Sequence, residues 1–131
     1  MALNSFLKDE IVVDPKKFLS IAKKESRLSN HHSHKLGCAI VRNGKVLGVG
    51  HNMMKTHPKS PHRFKNIHAE FMAVLNSNMD IGGGTAYIFR EQKNGTPAIS
   101  RPCTDCWRFL MECGIKDVVY SFEGSFKQER L

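Results

Sequence analysis

Apolar and polar positions alternate along this chain in short blocks, each of which predicts one element. After Asp14-Pro15, an N-cap residue followed by proline at the first helical position, Phe18, Ile21 and Ala22 share one face. The spacing predicts a helix over about 15–27 that covers a sheet. Residues 36–41 and 46–50 are short apolar runs joined at Asn43-Gly44, a strong hairpin signal, and become the first two strands. Gly48 and Gly50 in the second run imply close approach by another backbone or by a ligand. Residues 68–76 carry the run Phe71-Met72-Ala73-Val74-Leu75 and predict a helix buried on most sides. Residues 85–90, after Gly82-Gly83-Gly84, form a third strand, and residues 92–101 a returning loop. Cys106, Phe109, Leu110 and Cys113 fall at i, i+3, i+4 and i+7 on a helix that Gly114 ends, and residues 117–120 form a fourth strand.

Only 11 residues follow Tyr120. A further parallel strand needs a crossover of about a dozen residues or more, so residues 122–125 turn a hairpin and residues 126–130 close the sheet antiparallel. The expected fold is α/β: one domain over residues 1–131, three layers α-β-α around a central mixed sheet of about five strands.

Composition narrows the setting. The 131 residues are 40% hydrophobic and 24% charged, enough for one core without disulfide staples. There is no run of about 18 apolar residues, and Met1-Ala2-Leu3-Asn4-Ser5 does not open a signal peptide, so a cytoplasmic protein with no membrane partner is expected. In a reducing compartment four cysteines point to metal or chemistry, not to two disulfides. Cys38, in an apolar run, and Cys113, on a helix face, read as small buried hydrophobes. The formal charge of +8 favours anionic partners, among which nucleic acid is one option and a nucleotide phosphate another. His31, His32 and His34 lie in a polar turn-rich stretch without acidic or cysteine companions and read as a solvated loop.

The chemistry concentrates in His68-Ala69-Glu70 and, 35 positions on, Pro102-Cys103-Thr104-Asp105-Cys106. One histidine and a Cys-x-x-Cys pair offer three ligands suited to tetrahedral Zn2+ and leave a fourth position open, as a catalytic site does. Residues two apart on a helix point about 200° from each other, so His68 and Glu70 cannot both reach a metal on the helix side. The metal must lie off the helix end, with Cys103 and Cys106 at the first turn of the other helix, where its dipole favours thiolates.

H-x-E followed by P-C-x-x-C is the zinc deaminase signature. From about Leu36 to Tyr120 the chain resembles the cytidine and deoxycytidylate deaminase superfamily, which also includes tRNA adenosine and polynucleotide cytosine deaminases. The resemblance implies a cytidine-deaminase-like fold and a hydrolase acting on a C–N bond of a cyclic amidine. Zinc would be held by His68, Cys103 and Cys106, with Glu70 as the catalytic proton shuttle. It further implies that Asn52, in Gly50-His51-Asn52, touches ribose hydroxyls; taken alone, Asn52 is also a turn asparagine satisfying its own backbone. The Ala69 amide would hold the base carbonyl, and the backbone near Ser100 and Arg101 would accept from the amino group. Many relatives carry glutamate where this chain has Arg101, so contacts at that edge differ. Trp107 either walls the pocket or is core.

Substrate class is divided. Free-nucleoside enzymes of the family typically carry glutamate two residues after the ribose asparagine, where this chain has Met54. The loop over 53–67, with Lys55, Arg63 and Lys65 as phosphate contacts, favours a nucleotide such as dCMP, although a solvated basic loop is an equal alternative. The antiparallel last strand resembles the free-nucleoside branch. A small-molecule nucleoside or nucleotide is therefore the expected substrate and a homo-oligomer the expected assembly. A polynucleotide deaminase is the alternative, against which Phe64 is the lone aromatic among the basic residues of that loop. A non-enzymatic zinc-stabilised module is a third reading, disfavoured because structural zinc usually takes four protein ligands.

Overall fold

A computed structural model describes residues 15–31, 33–54, 59 and 67–131. The elements follow in the order α1 (Pro15–Ser26), β1 (Leu36–Arg42), β2 (Lys45–His51), α2 (Ala69–Asn76), β3 (Thr85–Glu91), β4 (Pro97–Ala98), α3 (Thr104–Glu112), β5 (Asp117–Phe122) and β6 (Ser125–Arg130). The sheet runs β2-β1-β3-β5-β6, with β4 added to β3. Only β3 and β5, joined through α3, pair parallel among these strands. β6 returns antiparallel to β5.

Both hairpins follow from their turn residues. Asn43 and Gly44 have φ of 53° and 76°, and Glu123 and Gly124 have φ of 42° and 84°; both pairs are the left-handed conformations whose twist matches the flanking strands. The last turn of α3 closes on Gly114, at φ 85°.

The strand period of two sorts β1 onto two cores. Ala39 and Val41 pack with Phe18, Leu19 and Ala22 of α1 and with Tyr87, Phe89 and Val119. Cys38 and Ile40 face the other way, into Ala69 and Ala73 of α2, Leu110 of α3, Ile88, Val118 and Tyr120. This is the three-layer arrangement: α1 on one face, α2 and α3 on the other. Burying each large apolar side chain contributes about 1.5–3 kcal/mol. At the end of β2, His51 Nδ1 lies 2.7 Å from Glu25 Oε2 and ties the strand to α1.

Gly48 and Gly50 approach a backbone. A Cβ on Gly48 would lie 2.5 Å from the Ala73 carbonyl oxygen, and one on Gly50 would lie 2.4 Å from the Ala73 nitrogen. The missing side chains let α2 sit down on β2, which fixes where its N-terminus points.

Most strands run one or two residues beyond the sequence-based expectation, and two further differences bear on the architecture. The sheet has six strands: Pro97 and Ala98 pair with Glu91 and Arg90 inside the expected 92–101 loop. α1 ends at Ser26, one residue early, where Ser26 Oγ donates to the Lys23 carbonyl oxygen.

Candidate active site

α2 and α3 direct their N-termini at one point. His68 is the N-cap of α2 in extended conformation, but its ring makes no capping bond. It turns instead to the cysteines, with Nδ1 at 3.0 Å from Cys106 Sγ and 4.0 Å from Cys103 Sγ. Cys103 is the N-cap of α3, its sulfur accepting from the Cys106 amide at 3.5 Å. The donor atoms of His68, Cys103 and Cys106 all lie within 4.8 Å of one another. That spread is what ligands at about 2.0–2.3 Å from a tetrahedral ion require.

The sulfurs behave as one unit. Cys103 is pulled down to about 5, first by the hydrogen bond from the Cys106 side chain, with backbone amides at the helix start and His68 adding to it. Cys106 is pushed up, because its proton is held against Cys103 and because it is buried. A thiolate paired with a thiol over two helix N-termini is a donor set prepared for a cation.

Beside it opens a cavity of about 260 Å³, lined by His31, Leu36, Asn52, Ile67, His68, Ala69, Glu70, Arg101 and Cys103. Glu70, the second residue of α2, is only 4% exposed, and burial raises its carboxyl above the usual range. Met53 and Ile67 bridge through both backbone bonds, at 3.0 and 3.2 Å, and so hold Asn52 close to His68. A larger hollow of about 690 Å³, lined by Arg90, Glu91, Gln92 and Lys93 among others, contains none of the metal-type donor group.

A family model described as the cytidine and deoxycytidylate deaminase zinc-binding region matches residues 13–122. The chain belongs to this family. Among its relatives, deoxycytidylate deaminase of Saccharomyces cerevisiae is 26% identical over 120 residues, covering 79% of this chain and 36% of that protein. The riboflavin biosynthesis protein RibD of Actinobacillus pleuropneumoniae is 35% identical over 86 residues, covering 63% of this chain and 19% of that protein. The chain thus spans about a third or less of the curated relatives it matches. The solved dCMP deaminase of the cyanophage S-TIM5 superposes with a TM-score of 0.62 at 25% identity, covering 81% of this chain and 80% of that one.

Zinc is the metal of this family, and a histidine with two cysteines is a donor set that suits it. The other residues expected at a deaminase site are differently placed. Asn52 lines the cavity, yet its amide is also engaged with the backbone: Oδ1 accepts from the Leu36 amide at 2.9 Å and Nδ2 donates to the His34 carbonyl oxygen at 2.6 Å. Ala69, the first residue of α2, has an N–H that the helix does not use. Ser100 turns its side chain inward: its hydroxyl bonds the Ile88 carbonyl oxygen at 2.9 Å and meets Ser121 Oγ at 2.8 Å. This knot anchors the segment ahead of Pro102, and Ser100 can face the cavity only through its backbone.

Arg101 lines the cavity, with its guanidinium 4.3 Å from the centre of the Trp107 ring; Trp107 itself packs against the core and is not among the lining residues. Lys55, Arg63 and Lys65 lie outside the described residues, as do His32 and Asp14. Cys38 is fully buried and Cys113 half-buried against the same core, outside the donor group. Sequence reasoning missed His31, a cavity wall whose Nδ1 accepts from the Ser33 and His34 amides at 3.1 and 3.0 Å. Its only signal was three histidines in a turn-rich stretch, which does not distinguish solvent from cavity.

Among the described residues no helix is long and apolar enough to cross a membrane.

Proposed function

We propose that the chain is a hydrolase that deaminates the cytosine of a small nucleoside or nucleotide, of the dCMP or cytidine/deoxycytidine class, to the uracil product and ammonia. Members of its family are hydrolases acting on C–N bonds. The observation that carries the reading is a buried carboxyl, Glu70, in one cavity with His68 and Cys103 of the His68–Cys103–Cys106 donor group.

His68, Cys103 and Cys106 would hold the zinc, which when bound supplies Lewis acidity that makes water a better nucleophile near neutral pH. Glu70 moves the protons. Its carboxylate takes one from the attacking water, passes it to ring nitrogen N3, and then helps protonate the departing amine, so that water and C–NH2 become C=O and NH3. Burial keeps Glu70 nearer its protonated form than a surface carboxylate, which suits a group that both accepts and donates. The Ala69 N–H holds the base carbonyl. Carbonyl oxygens near Ser100 and Arg101 accept from the amino group. Asn52, steadied by its two backbone bonds, addresses the sugar hydroxyls with its remaining hydrogen-bonding capacity. Lys55, Arg63 and Lys65 meet the phosphate of a nucleotide.

A second reading, favoured by 35% identity to RibD over 86 residues, is a substrate from the riboflavin-biosynthesis side of the family. Ammonia release by zinc-loaded protein tests the first reading, with cytidine, deoxycytidine, their monophosphates, free cytosine, single-stranded DNA and tRNA as substrates. Turnover of a cytosine nucleotide or nucleoside is expected. Silence toward every cytosine monomer would overturn the first reading.

A further inference from the structure

Arg101 is held along one edge and against one ring. Its Nε donates to Glu129 Oε2 at 2.8 Å and its Nη2 to Oε1 at 3.4 Å. Glu129 in turn accepts from the Tyr120 hydroxyl at 2.5 Å, and the guanidinium carbon lies over the Trp107 ring, 4.3 Å from its centre. Glu129 is available because β6 is antiparallel: the register sets Glu129 beside Val118 and Lys127 beside Tyr120, on the α2–α3 side of the sheet. The last strand of the fold therefore reaches back to the residue that introduces Pro102 and Cys103.

This arrangement is poorly explained by stability. The Arg101 and Glu129 side chains are 48% and 36% exposed, and an ion pair so exposed stabilises little. It is better explained by orientation. A guanidinium has five N–H groups in a fixed fork, and Glu129 takes two of them on the Nε–Nη2 edge. The Nη1–Nη2 edge lies outside the Glu129 pair, with donors in the parallel arrangement that matches a phosphate or carboxylate, and the Trp107 ring, 4.3 Å from the guanidinium carbon, restrains the group before any ligand arrives. Among the described residues, Arg101 is also the lysine or arginine that lines the cavity with Glu70 and Asn52.

We propose that Arg101 is a specificity-determining residue, whose Nη1–Nη2 edge takes the phosphate monoester of the substrate, and that Glu129 and Trp107 are positioning residues for it. The assignment rests on the deaminase reading and sharpens it: the enzyme selects nucleotides over nucleosides.

The test uses the zinc-loaded full chain, with Arg101→Gln, Arg101→Lys and Glu129→Gln alongside wild type. kcat/KM is measured for dCMP and deoxycytidine, and calorimetric Kd for dUMP and deoxyuridine. Charge-assisted hydrogen bonds of this kind correspond to roughly tenfold to hundredfold in preference. Wild type should favour the phosphorylated member of each pair, and Arg101→Gln should lower that ratio by about ten- to a hundredfold. Arg101→Lys keeps the charge without the fork and should fall between. Glu129→Gln should lower the ratio through a higher KM for dCMP, because the guanidinium loses its orientation. Zinc content and circular dichroism identify a variant that has lost its fold, in which case Arg101→Lys and Glu129→Gln decide. A wild type that binds both members of each pair equally, or variants with the wild-type ratio, would overturn the assignment. Absence of deamination together with a phosphate preference in binding that disappears in Arg101→Gln would overturn the cytosine reading and leave the assignment standing.

Discussion

The Nδ1 of His68 lies 3.0 Å from the sulfur of Cys106, although 38 positions separate them, because the N-termini of two helices on the same face of the sheet converge there. From this contact follows a prediction of one zinc per chain. Elemental analysis should find it largely lost from Cys103→Ala and Cys106→Ala and retained in Cys113→Ala, whose sulfur packs against the core outside the donor group. Full zinc in Cys103→Ala would remove that residue from the site.

Glu70 shares the cavity without belonging to the donor group. Glu70→Ala is therefore expected to keep zinc and fold while losing deamination. A positioned acid-base group typically contributes about 10²- to 10⁴-fold, and one residue serving several transfers should reach the upper end. Turnover within a few-fold of wild type would end the assignment.

The parts legible in the sequence were those whose physics is local. Asn43-Gly44 determines the first hairpin, and Glu123-Gly124 turns the second. The i, i+3, i+4 spacing marks α3, and His68 with the Cys-x-x-Cys pair marks the metal group. What stayed hidden depends on partners distant along the chain. Strand β4 is two residues, Pro97 and Ala98, too short to carry a period, and exists because the end of β3 offers it an edge. Ser100 is fixed by Ser121, and Arg101 by Glu129, 21 and 28 positions away. Asn52 lines the cavity, but the partners of its amide, Leu36 and His34, lie 16 and 18 positions away and are not legible from its own turn.

Gly50 offers a test of how the fold aims the site. Its α-carbon faces α2 so closely that a methyl group would meet the Ala73 nitrogen at 2.4 Å, and neither backbone can yield cheaply. Gly50→Ala should destabilise by about 1–3 kcal/mol, read as a lower denaturant midpoint. It should also reduce zinc affinity, because α2 carries His68 at its start. A variant as stable as wild type would show that the helix shifts freely on the strand.

Glu91 predicts a pH dependence of stability. It accepts from Arg27 Nε and Nη2, both at 3.2 Å, and lies 3.7 Å from Lys23 Nζ, joining the end of β3 to α1. The Arg27 hydrogen bond lowers its carboxyl below the usual value, so the folded state holds the charged form more tightly than the unfolded chain does. The stabilisation is then complete above the unfolded pKa, near 4.3, and disappears as pH falls through the lower folded value. Denaturation curves for wild type and Glu91→Gln should differ by roughly 0.5–1 kcal/mol at pH 7, and the gap should shrink as pH falls below the unfolded value. A gap that does not shrink on acidification would mean the loss is not one of charge.

The basic loop that enters His68 gives the last prediction. Lys55, Arg63 and Lys65 outnumber any acid between Met53 and Ile67, so the segment carries positive charge into the first metal-ligand candidate. If a monophosphate is the substrate, neutralising Arg63 and Lys65 together should lower kcat/KM for the nucleotide more than for the nucleoside, because only the nucleotide brings a charge for them to meet. Arg101 remains in that variant, so its phosphate preference should be reduced and not abolished. A polynucleotide substrate would respond differently: the same change would flatten the salt dependence of binding, since fewer counterions are released from the backbone. Equal loss on nucleoside and nucleotide, with an unaltered salt slope, would leave the loop as a solvated rim and Arg101 to recognise phosphate without it.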